Sequence, residues 1–157
     1  MKKQTIFVAS ASLLLVTSIF AHDLFLKTTD SYFLQPNSKF TVKIMNGTFQ
    51  ESEGAVSYAR LSDVSVVLAG KTIHPQETDF TKDETTSYLN LKTAAAGTYV
   101  VGLSTRTREI ALKASEFNEY LKEDGLPDTL EERRKTAELG KDAKERYAKH
   151  VKDVLQV

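Results

Sequence analysis

From Leu24 to Ala114 the chain alternates apolar and polar residues with a period of two. Phe40-Thr41-Val42-Lys43-Ile44 and Tyr88-Leu89-Asn90-Leu91-Lys92 have the pattern of half-buried strands. Val64-Ser65-Val66-Val67-Leu68 and Thr98-Tyr99-Val100-Val101-Gly102-Leu103 are β-branched runs, and Ile110-Ala111-Leu112 is a shorter one. Turn residues separate them at Gln35-Pro36-Asn37, Asn46-Gly47, Ala69-Gly70 and Ala96-Gly97. No helix-length segment intervenes, so the spacing predicts a mainly β fold, a β-sandwich rather than a parallel sheet.

From Ser115 the period becomes helical. Ser115 is the expected cap of a short helix carrying Phe117, Tyr120 and Leu121, stopped by Gly125 before Leu126-Pro127. Asp128 and Glu131 form a capping-box-like start to the next helix, and Gly140 breaks it. Ala143, Tyr147, Val151 and Leu155 then step by four, which predicts an apolar stripe between charged helix faces. Residues 115–157 are therefore expected as a C-terminal helical segment packed on a sandwich spanning 22–114. A partner-binding helix is the alternative reading of the stripe.

The first 21 residues have a different pattern. Lys2 and Lys3 precede an apolar run from Ile6 to Val16, and Thr17 to Ala21 form a short c-region that ends in a small residue, as in a secretory signal peptide. The run is shorter than the about 20 apolar residues a membrane span needs. Cleavage after Ala21 would make His22 the first residue; cleavage after Ser18 is the competitor. A periplasmic or secreted protein is expected, with no transmembrane segment after signal removal.

The 157 residues contain no cysteine, which excludes a disulfide framework, a thiolate metal site and a catalytic thiol. The 21 basic residues balance the 21 acidic ones, whereas a nucleic-acid binder is normally strongly basic. There is no nucleophile elbow, phosphate loop or calcium loop, so an enzyme is not expected.

The stretches "AHDLFLK", "SYFLQPNSKFTVKIMNGTF", "LSDVSVV", "GTYVVGLSTRTREIALKASEFNEYL" and "ERYAKHVKDVLQV" resemble, in order, a bacterial domain-of-unknown-function family. Its exported members are often labelled nickel-uptake or NikM-like proteins. The resemblance implies an immunoglobulin-like β-sandwich and an accessory role with a metal transporter or an envelope protein. Members of that family usually continue past the stretch resembling "KDVLQV" into a second β-domain, whereas this sequence stops at Val157, as expected of either a one-domain version or a truncated product.

Metal chemistry is the sharpest functional expectation. The α-amine and imidazole of a terminal His22 form a nitrogen pair suited to nickel, cobalt or copper, with Asp23 adding a carboxylate. A third ligand is needed, and His74 is preferred to His150, the only other imidazole. Plainer readings stand beside these: a frayed terminus at His22, a His74-Pro75 turn, a surface His150. The alternative function is a non-catalytic binding module that presents loops to a sugar, peptide or envelope partner. Asn46-Gly47-Thr48 reads as a tight hairpin turn before it reads as a glycosylation acceptor. Arg106-Thr107-Arg108-Glu109 reads as a solvated strand end or, alternatively, an anion clamp.

Overall fold

A computed structural model of the chain describes residues 23–29, 31–48 and 50–157. Eight strands lie in the predicted region: β1 Asp23–Thr28, β2 Lys39–Gly47, β3 Leu61–Leu68, β4 Lys71–Ile73, β5 Phe80–Lys82, β6 Ser87–Lys92, β7 Thr98–Thr105 and β8 Arg108–Leu112. Two helices follow, α1 Ala114–Glu123 and α2 Pro127–Lys135, and then two more strands, β9 Ala143–Tyr147 and β10 His150–Gln156.

Two four-stranded sheets form the body, in the orders β1-β2-β6-β5 and β10-β7-β3-β4, and every paired strand within them is antiparallel. This is the immunoglobulin arrangement: A-B-E-D in one sheet and G-F-C in the other, extended by a C′ strand. The first and last strands, β1 and β10, lie side by side where the sheets meet. The Phe33–Gln156 bridge there is parallel. Tyr99, near the start of β7, donates its hydroxyl hydrogen to the Ala95 carbonyl at 2.9 Å and accepts the Ala94 amide at 2.9 Å. A tyrosine at that place, bonded back to the preceding corner, is the tyrosine corner of such sandwiches.

The strict alternation decides which side chains meet. Leu24 and Leu26 of β1, Phe40, Val42 and Ile44 of β2, Val64 and Val66 of β3, and Leu89 of β6 point inward. Tyr99, Val101 and Leu103 of β7 and Leu155 of β10 close the core from the other sheet. With no disulfide available, this core carries the stability, each buried Leu or Val contributing about 1.5–3 kcal/mol. The Ala69-Gly70 turn behaves as expected: Leu68 pairs with Lys71, and both turn residues have positive φ (47° and 75°), as a type I′ hairpin needs.

The structure corrects the reading of the C-terminal segment and of one turn. Residues 143–156 are strands, not helix: β9 pairs with β8, and β10 pairs with β7 along its length. A step of four keeps residues on one face in both a helix and a strand, so the Ala143–Leu155 stripe did not distinguish them. The unpaired edge of β7 did. The C-terminal segment therefore completes the sandwich, and only the helices α1 and α2, inserted with the β8–β9 ribbon between β7 and β10, match the helical reading. Gly140 does not break a helix either. α2 ends at Lys135, with Ala137 at φ 56° and the Glu138 amide bonded to the Arg133 carbonyl at 2.7 Å, a Schellman stop. Gly125 (φ 68°) stops α1 in the same way, as the sequence predicts.

Asn46-Gly47 is not a hairpin turn but the end of β2, paired with Leu24 and Asp23 of β1. Glycine is required there for space, since a Cβ would fall 2.6 Å from the Glu51 carbonyl oxygen.

Candidate functional site at the loop end

Strands β2, β4 and β7 all run toward one end of the sandwich, so three connections leave from it: 48–60, 74–79 and the long excursion 106–149. In immunoglobulin-type folds this end carries the recognition loops. Here the connections are tied together. Tyr58, in a 3-10 turn ahead of β3, packs edge-on against Phe80 with ring centroids 5.0 Å apart. The Arg106 amide donates to the Arg60 carbonyl at 2.8 Å, and the Arg106 Nε to the Ala59 carbonyl at 3.0 Å.

Between them lies an open groove of about 230 Å³, walled by Tyr58, Ser62, Asp63, His74, Gln76 and Arg106 among others. His74 leaves the end of β4, and its Nδ1 lies 3.0 Å from the Val64 carbonyl and 3.2 Å from the Asp63 carboxylate. Both neighbours are acceptors, so the tautomer with hydrogen on Nδ1 fits the geometry and leaves Nε2 for a ligand. Ser62 donates to the Ser104 carbonyl at 3.2 Å, and Gln76 to the His74 carbonyl at 2.9 Å. The groove wall is thus built mainly from polar groups whose orientations are fixed by backbone partners.

Of the predicted ligands, His22 lies outside the described residues. Asp23 opens β1, exposed, at the edge of the first sheet. His74 follows β4, at the edge of the second sheet opposite the seam where β1 meets β10. The width of the sandwich separates Asp23 from His74. His150 sits on β10, the strand beside β1, with its Nδ1 2.8 Å from the Ser104 hydroxyl. Strand register aligns His150, Ser104 and Asp63 in one row across the outer face. Among the described residues no three metal-ligating side chains converge, and no helix is long and apolar enough to cross a membrane.

Two polar residues escaped the sequence reading. Asp153 is buried on the inner face of β10; its Oδ1 accepts the Val154 amide at 3.0 Å and its Oδ2 has no partner among the described residues. Burial holds its pKa above the ordinary carboxylate value. A period of two across Val151-Lys152-Asp153-Val154-Leu155 would have revealed a carboxylate at a core position. The other is Arg133, buried in α2. It donates to the Asn118 side chain at 3.1 Å and to the Glu138 and Lys141 carbonyls at 2.8 Å each, and lies 4.8 Å over the Phe117 ring.

No known protein family, curated protein or solved structure matches the chain.

Proposed function

We propose that the chain is an exported, non-catalytic binding module that takes its ligand at the loop end of the sandwich. One observation carries this reading: three connections meet there around a groove whose polar side chains are held in place by the strands behind them. A rigid scaffold presenting loops is the common form of a recognition surface. The lysine-apolar-small pattern of residues 1–21 supports export to the periplasm or beyond the cell. Amide NMR spectra recorded with pools of sugars, amino acids and short peptides test the proposal. Binding pools should move amides within 58–64, 74–76 and 105–107. Shifts confined to the opposite end, at 69–71 and 94–97, would remove the loop end as the site.

A second reading, an accessory protein that binds or delivers nickel, cobalt or copper to a transporter, is favoured by His74. An imidazole whose Nδ1 is committed to a carboxylate and a carbonyl resembles the oriented histidines of metal sites. The described residues supply too few further ligands, and within one chain Asp23 lies the width of the sandwich from His74, so this reading needs a terminal His22 supplied by a second copy of the chain. Titration of Ni(II) into protein that begins at His22, into its His74→Ala variant and into protein with one added N-terminal residue decides it. The metal reading expects weaker binding in both altered proteins; equal binding in all three would end it.

A further inference from the structure

Two arginines at the loop end are left uncompensated. Arg60 and Arg106 lie side by side, the Arg106 amide donating to the Arg60 carbonyl and the Arg60 Nη1 to the Arg106 carbonyl at 3.3 Å. The Nε contact to the Ala59 carbonyl fixes the Arg106 side chain. Its two terminal nitrogens have no acceptor among the described residues, and neither guanidinium forms an ion pair among them. Adjacent like charges repel, most strongly where water is partly excluded, and an anion bound beside them would remove that cost. The carboxylate on the groove wall, Asp63, is already engaged by His74.

Resting on the loop-end reading above, we infer that the groove takes a small ligand carrying a carboxylate, gripped by the free nitrogens of Arg106 with Arg60 beside it. A guanidinium presents parallel N–H groups that match the two oxygens of a planar carboxylate. Phosphate offers a similar edge and is therefore the competing anion in the test. The open groove of about 230 Å³ has room for at least one sugar or amino acid. Ser62, His74 and Gln76 on the same groove wall offer hydrogen-bonding groups to the remainder of such a ligand.

The probe is galacturonate, with methyl galactoside as the neutral control and inorganic phosphate as the competing anion, each followed by amide NMR on the whole chain. Galacturonate should move amides within 58–64, 74–76 and 105–107, less so at high salt, and methyl galactoside should leave them in place. Arg106→Gln should weaken binding roughly tenfold or more, and Arg106→Lys, which keeps the charge without the fork, should restore part of it. If Arg106→Gln does not fold, Arg60→Gln replaces it, and unaltered galacturonate affinity in the folded variant overturns the inference. Equal shifts from methyl galactoside overturn the carboxylate assignment while leaving the loop-end reading standing. Phosphate binding more tightly than galacturonate does the same. Galacturonate shifts that appear only away from the loop end overturn both.

Discussion

Asp153 is a carboxylate at a position that alternation reserves for apolar side chains. It lies on β10, an edge strand of its sheet, and turns one oxygen to the amide of Val154. An inward-pointing charge on an edge strand makes that edge a poor template for another chain, and it adds to the cover that residues 32–34 give the end of β10 through their bonds to Gln156. Its cost is the buried Oδ2, without a partner among the described residues, about 1–3 kcal/mol for a group of this kind. Because burial raises its pKa above 3.8, the folded state holds the proton more tightly than the unfolded chain. Stability therefore falls as pH rises from about 3.8 through the raised value, and is flat beyond it. Asp153→Val should raise the urea midpoint at pH 7 and have a smaller effect at pH 3. It should also increase self-association, measured by sedimentation. Asp83 has the opposite sign. The Tyr88 hydroxyl, at 2.6 Å, and the Thr86 and Thr85 amides hold it down to about 2. Its contribution is present above pH 3.8 and is lost as pH falls through about 2.

The helices α1 and α2 bury little apolar surface of their own; Leu121 and Arg133 are their buried residues. Arg133 has no carboxylate partner among the described residues, and its charge is met by two carbonyls, an amide oxygen and the Phe117 ring. It thereby joins α1 to the segment after α2. Short helices are marginal without such contacts. Arg133→Met keeps the aliphatic stem and leaves three acceptors without their donor, so the helical excursion should open locally. Hydrogen exchange should lose protection in α1 and α2 while β2 and β7 keep theirs, as expected of a unit less stable than the sandwich. Equal loss everywhere would mean that the excursion and the sandwich unfold as one. The start of α1 shows why caps are hard to read from neighbours alone. Ser115 is not its cap. Glu116 turns back to the Lys113 amide, and Asp142, far along the chain, accepts the Ala114 amide at 3.1 Å. The ion pair with Lys113 holds the Asp142 carboxyl below its usual range.

Over the molecule as a whole, β10 joins the end of the chain to the core. Leu155 is 1% exposed and Val154 57% exposed, so neighbouring substitutions should differ sharply. Leu155→Ala should cost about 2–5 kcal/mol by leaving a cavity, whereas Val154→Lys should change stability by less than about 0.5 kcal/mol. Denaturant unfolding of the two variants measures both. The sequence alone determined β2, β3, β6, β7 and β8, because alternation and β-branched runs bounded by turn residues are local properties of the chain, whereas the three-residue strands β4 and β5 carry no such pattern. It also determined that a turn falls at Ala69-Gly70 and that α1 stops at Gly125, where a positive φ favours glycine. Only the tertiary structure decided the rest. Asn46-Gly47 extends a strand because β1 pairs with it, and 143–156 is strand because β7 offers an open edge where a four-residue step suits either period. The loop-end groove gathers Tyr58, Asp63, His74 and Arg106 from segments far apart in sequence. Their proximity follows from the order of strands in two sheets, which depends on long-range pairing and has no signature in any single stretch of the chain.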